Sequence, residues 1–312
     1  MTNRVRKLTA LATAALMIPQ PAVGQARMPA PKVVLEPTGA WNLNYADDSC
    51  RLARFFGEGE QRTVLYLERY GPGDSFLMVV AGQPMRGSGR NEVTFQFGPE
   101  GGGEPRRRTV DVGDLGEYKP ALVFTSTTLA PVEGIRENGD ARRDFDQEEA
   151  SAPPRGPTIQ PAIEAGLSYL DIRRSGGKPI RFQLGPMGDP MQAMRNCTDE
   201  LLMHWGIDVA AHSKLTRAAA PASNPGRWLT SRDYPGNLLA KGEQGIVKFR
   251  LSVDAEGKPS QCHIQQSTRP DGFDRAVCDK LMQRARFKPA LGEDGEPLAS
   301  YWRSTVRFRI PG

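Results

Sequence analysis

Histidine is scarce in this chain. His204, His212 and His263 are the only three in 312 residues, and none falls in an H-E-x-x-H arrangement. Neither a G-x-S-x-G elbow nor a Walker phosphate loop occurs. Asp47 and Asp48 are adjacent carboxylates. Neighbouring residues of a strand point to opposite faces, so the pair reads as a solvated turn rather than an acid–base couple. The G-G-G-E-P run that starts at Gly101 has no following helix to offer a phosphate its N-terminus. These gaps exclude the common hydrolase and nucleotide-binding classes. The expectation is a protein that is not an enzyme and carries no cofactor.

Long apolar runs are missing as well. Leu8 to Ile18 is an apolar stretch of eleven residues closed by Pro19; a membrane-spanning helix needs about 20. Arg4, Arg6 and Lys7 precede it, and the small residues Ala22, Gly24 and Ala26 follow. This is the layout of a secretory signal peptide over residues 1–26, cleaved near Ala26, with an uncleaved anchor as the alternative. The expected location is the periplasm. The formal charge of +5 includes that basic head; without it 38 basic residues face 36 acidic ones. So even a balance gives no support for nucleic-acid binding.

Cysteine is limited to Cys50, Cys197, Cys262 and Cys278. An even count in an oxidising compartment reads as two disulfides. Cys262 and Cys278 lie close together near the C-terminus, which leaves Cys50 for Cys197. A metal site built from Cys262, Cys278 and His263 lacks a four-ligand spacing, and adjacent strand residues diverge. No metal is expected.

What the chain has in quantity is glycine and proline, 33 and 26 residues, which punctuate short alternating segments. Trp41, Leu43 and Tyr45 alternate, and Leu52 to Phe56 follows. Thr63 to Arg69 and Ser75 to Ala81 flank the turn cluster Y-G-P-G-D, a hairpin signal. Val93, Phe95 and Phe97 alternate. Arg106 to Val112, Ala121 to Leu129, Leu167 to Ile172 and Ile180 to Leu184 are further strands. Asp189 to Trp205 reads as a helix capped by Asp189, with Pro190 in its first position and Met191, Met194, Leu201, Leu202 and Trp205 along one stripe. Residues 27–209 are thus expected to form a mainly β domain, a sandwich or small barrel with a terminal helix. A charged, proline-rich segment at about 131–160 interrupts it, with a helical piece expected around Arg142 to Glu149. It reads as a mobile insertion, a solvated linker rather than a partner-binding loop. Residues 210–226 are small, polar and proline-dotted, and read as the domain linker.

Residues 227–312 change character. Tyr234–Pro235 opens a short helix that runs to about Ala240. In the next strand Val247, Phe249, Leu251 and Val253 alternate with Lys248, Arg250 and Ser252, which predicts one buried and one solvated face. D-A-E-G-K makes a turn at Gly257, and Ser260, Cys262 and Ile264 continue a second strand. Phe273, Val277, Leu281 and Ala285 form a helical stripe. In the last strand Trp302, Ser304, Val306, Phe308 and Ile310 oppose Tyr301, Arg303, Thr305, Arg307 and Arg309. The arginine row reads as a soluble, aggregation-resistant sheet face before it reads as an anionic contact site. The order is that of a small α+β domain, a three-stranded antiparallel sheet with two helices on one face.

Residues 228–310 resemble the C-terminal domain of the TonB family of periplasmic energy transducers. The resemblance rests on Tyr234–Pro235, Gly245, Val253–Asp254 with Gly257, Phe273–Asp274, Arg286–Phe287 with Pro289–Ala290, and Val306-x-Phe308. It implies capture of an extended peptide from an outer-membrane transporter, or another envelope protein, by strand addition. The surface implied is Arg303, Thr305, Arg307 and Arg309 of the last strand with Ser231, Arg232, Asp233 and Tyr234 before the helix. Two features depart from a transducer: the apolar run is short, and a globular domain replaces the long Pro/Lys-rich span. The expectation is therefore a periplasmic binding protein. A membrane-anchored transducer, a structural envelope protein and an enzyme are the alternatives.

Overall fold

The computed structural model describes residues 28–99, 101–132, 159–267 and 270–310. The signal-peptide segment 1–26 and the helical piece at Arg142 to Glu149 lie outside these residues, as does most of the insertion. The chain is mostly β. Its first part runs through β1 (Val33–Leu35), β2 (Asn42–Tyr45), β3 (Cys50–Phe56), β4 (Thr63–Arg69), β5 (Phe76–Gly82), β6 (Glu92–Gly98), β7 (Arg106–Thr109), β8 (Asp111–Leu115) and β9 (Tyr118–Thr127). After the insertion come α1 (Pro161–Gly166), β10 (Tyr169–Arg174), β11 (Ile180–Gln183) and α2 (Gly188–His204).

These strands form two sheets, ordered β2-β3-β4-β5-β9-β8 and β1-β11-β10-β6-β7. The period-2 alternation decides which side chains meet between them. Leu52, Leu65, Leu67, Met78, Val80, Leu122 and Phe124 from the first sheet share one core with Phe95, Phe97, Leu170 and Phe182 from the second. Met191, Met194 and Leu201 of α2 join that core, and Cys197 of α2 bonds Cys50 at the start of β3, with Cα atoms 6.1 Å apart.

Several boundaries differ from the sequence reading. Arg106 to Val112 is two strands in different sheets: β7 pairs with β6, β8 with β9. The chain turns the corner at Val110, which is buried. Residues 33–35, ahead of the first strand read from the sequence, pair in parallel with β11. Helix α2 is capped at Met187, so Asp189 lies inside the first turn instead of at the cap; its carboxylate still suits that end of the helix dipole.

The second part holds α3 (Val209–Ser213), β12 (Ala220–Pro221), α4 (Gly236–Ala240), β13 (Gly245–Val253), β14 (Pro259–Ser267), α5 (Gly272–Arg284), β15 (Phe287–Lys288), β16 (Ala290–Leu291), β17 (Pro297–Leu298) and β18 (Ser300–Phe308). The stretch read as a linker is ordered structure. Asp208 caps α3 through a bond from the Ala211 amide, β12 pairs with β15, and Arg217 bridges to Leu291. Two of its small residues are packed: Ala218 is buried and Ala219 is fully buried in the second core. Helix α5 stops at Arg284, and Phe287–Lys288 is strand.

The three-stranded sheet is antiparallel with order β14-β13-β18, pairing Val247 with Val306, Leu251 with Trp302 and Phe249 with Ile264. Val247, Phe249, Leu251 and Val253 face Phe273, Val277 and Leu281 of α5 and Leu238 of α4 in one core. Cys262 on β14 bonds Cys278 on α5. Gly257 holds the β13–β14 turn at φ +77°, and a β-carbon there would sit 2.1 Å from the Phe287 carbonyl oxygen. Only glycine meets both demands.

Candidate functional site

Strand β18 is an edge strand: among the described residues it pairs with β13 on one side and with no strand on the other. At its C-terminal end lies the segment before α4. Thr230 and Asp233 form a reciprocal capping box, with the Thr230 amide donating to Asp233 at 2.9 Å. Arg284 of α5 donates to both Asp233 oxygens, at 2.7 and 3.0 Å. Those hydrogen bonds hold the Asp233 carboxyl well below the usual carboxylate range. Asp233 therefore fixes the segment to α5. The Tyr234 ring packs edge-on to Phe273 and to Phe308 of β18, 5.3 Å from the latter, and its hydroxyl donates to the Glu243 carbonyl.

The expected partner-binding residues thus fall into three settings. Tyr234 meets β18 through Phe308. Ser231 and Arg232 are exposed beside it, and Asp233 is held by Arg284. Arg303, Thr305 and Arg307 lie on β18 itself, on the face away from α5, with Arg309 exposed just beyond its end.

That face is not solvated as the alternation implied. Arg250 is only 2% exposed, and its guanidinium stacks 4.0 Å over the Trp205 ring that follows α2. Asp48, from the β2–β3 turn, lies 3.6 Å from it. Burial lowers the Arg250 pKa to about 10, so it stays charged. Lys248 Nζ sits 4.4 Å over Tyr70, whose hydroxyl donates to Gln266 at 3.1 Å. Tyr301 packs against Trp205 and stacks on His212, and His212 shares a 3.2 Å hydrogen bond with Ser300. A side chain at Gly71 would come within 3.2 Å of the Tyr301 hydroxyl and 3.6 Å of the Arg303 guanidinium. The reason is the amphipathic build of Lys and Arg, whose stems and flat heads pack on aromatic rings that a sequence pattern does not place.

The two-sheet unit therefore covers β18 from Ser300 to about Arg303. Beyond that, Ser304, Val306 and Arg307 are part-exposed, Thr305 and Phe308 are buried, and Arg309 and Ile310 are exposed. Ile246, paired with Arg307, and Leu239 on α4 are large apolar side chains open to solvent. Sequence reasoning missed Trp205, Tyr70 and Asp48 as neighbours of this sheet. Nothing in their local pattern marks them, since each meets it only through the tertiary fold. Among the described residues no cluster of His, Cys, Asp or Glu could hold a metal ion, and no helix is long and apolar enough to cross a membrane.

Residues 230–310 match the family described as Gram-negative bacterial TonB protein C-terminal. Protein TonB of Yersinia enterocolitica is 30% identical over 79 residues, which cover 25% of this chain and 28% of that protein. The similarity thus spans little more than a quarter of the relative and stops short of the two-sheet unit. On these sequence matches, residues 230–310 are a TonB C-terminal domain.

Proposed function

We propose that this is a TonB-related envelope protein that binds an extended peptide, from an outer-membrane transporter or another envelope protein, by adding a strand to β18. The observation that carries the reading is the edge position of β18 in a TonB C-terminal domain, with Tyr234 packed on its Phe308. An edge strand offers backbone donors and acceptors along its outer side, and an extended peptide satisfies them. Arg303, Thr305, Arg307 and Arg309 flank the added strand, with Ser231, Arg232, Asp233 and Tyr234 at one end. The accessible length is shorter than the whole strand, because Ser300 to Arg303 lie under the two-sheet unit.

In this reading residues 1–26 are a cleaved signal peptide, residues 27–209 a β-rich domain and residues 227–312 the peptide-binding domain, acting in the periplasm without catalysis. N-terminal sequencing of the native protein tests the first point: a start near Arg27 supports it, and an intact N-terminus in the inner-membrane fraction favours an energy transducer.

Single proline substitutions at Ser304, Thr305, Val306 and Arg307 test strand addition. Residues of one parity donate to β13, those of the other parity donate outward. Proline at an outward position is tolerated by an edge strand. Two of the four variants should keep their thermal unfolding temperature while losing peptide affinity. If those folded variants bind an extended peptide as the parent does, β18 is not the docking edge.

A further inference from the structure

The structure also indicates what sequence such a peptide should carry. We infer that the peptide β18 accepts is alternating, with acidic side chains at every second position and apolar ones between; this rests on strand addition at β18.

An added strand places its side chains alternately beside the two faces of its neighbour. On one face of β18 stand Arg303 and Arg307, with Arg309 continuing the row. Thr305 between them is buried, and Arg250 and Lys248, the β13 partners of Arg303 and Thr305, are stacked on Trp205 and Tyr70 beneath the two-sheet unit, so the cations that an added strand reaches are Arg307 and Arg309. A basic residue added beside these two meets like charge, and an acidic one meets a guanidinium. The other face presents Val306 and Phe308, with the Tyr234 ring 5.3 Å from Phe308. A peptide side chain there lies beside apolar and aromatic groups, and a charged one would lose water for no partner. The two demands alternate with the pleat, so composition alone does not satisfy them; phase does.

The experiment uses the full chain and labelled synthetic peptides long enough to run beside Ser304 to Arg309. One alternates Asp or Glu with Val or Ile. A second has the same composition with the acids clustered at one end. A third replaces the acids by Lys, a fourth by Thr. Fluorescence anisotropy at low and high salt gives each Kd. The alternating acidic peptide should bind at least about ten-fold tighter than the clustered and basic ones, with the Thr peptide between. Raising the salt should shrink that gap. In Arg309→Glu, at an exposed position, the preference should move toward the basic peptide. Equal affinity for acidic, Thr and basic peptides would overturn the inference and leave strand addition standing. Equal affinity for the alternating and clustered peptides would also overturn it, because charge without phase would then suffice. Failure of all four to bind removes strand addition itself, and this inference with it.

Discussion

At Arg250 a cation is stacked on Trp205, donates to Ser252 at 3.1 Å and faces Asp48, while its Nε finds no partner among the described residues. Trp205 Nε1, Tyr301 Oη and Gln265 Oε1 are buried in the same layer and have no partner among the described residues. Arg250→Ala removes the stacking and stem packing and leaves Asp48 able to rehydrate. The expected loss is about 2 kcal/mol of unfolding free energy by urea titration, and Arg250→Met should recover part of it. His212 gives a pH prediction. Buried at 8% exposure between α3 and β18, against the Tyr301 ring and the Ser300 hydroxyl, it has its pKa lowered to about 4. The unfolded chain takes up that proton first as pH falls below about 6.5. Stability contributed by neutral His212 is therefore complete above that value and is lost progressively toward pH 4, by at most about 3 kcal/mol. His263, lowered chiefly by burial, acts with the same sign. Replacing His212 by Gln should flatten the dependence of urea stability between pH 7 and pH 4.5; an unchanged slope would place the acid sensitivity elsewhere.

Among the elements, the turns and alternations were legible, and the coverings were not. The hairpin of β4 and β5 and the helix α2 follow from period and punctuation, because local sterics and burial act together there. The split of Arg106 to Val112 was hidden: Val110 keeps the alternation going, and only the sheet each half pairs with separates β7 from β8. The site shows the same division. Its edge strand and the Tyr234 segment could be read from sequence, but the loss of Ser300 to Arg303 under Trp205, His212 and Gly71 could not. Polar alternation on β13 is the same string whether its outer side meets water or aromatic rings. Gly257 was legible and gives a sharp prediction. With φ +77° and the Phe287 carbonyl in the way of a β-carbon, Gly257→Ala should cost about 2 kcal/mol or more. Calorimetry should show a lowered Tm; an unchanged Tm would mean that the turn can relax without disturbing β15.

Over the whole molecule, the two cores are joined by a polar and aromatic layer instead of a tether. Hydrogen bonds cross it between residues 195 to 217 positions apart, Tyr70 to Gln266 and Gln265 to the Asp48 and Tyr70 carbonyls. A layer of this kind resembles a transient interface in composition and is under-satisfied in its hydrogen bonding. Native-state hydrogen exchange should nevertheless find β4–β5 and β13 opening at similar free energies in the parent, because each unit covers the other's polar face. In a Trp205→Ala, Arg250→Ala double variant the two sets should separate. If they already differ widely in the parent, the layer contributes little coupling.

The disulfides, seen along the chain, have a consequence for biogenesis. Cys50 bonds Cys197 and Cys262 bonds Cys278, so each cysteine pairs with its immediate neighbour in sequence order. A polypeptide delivered N-terminus first into an oxidising compartment exposes its first correct pair before the third thiol arrives, and its second after the first is closed. Vectorial delivery alone then yields the native connectivity, and the protein should mature with an oxidase but without dependence on a disulfide isomerase.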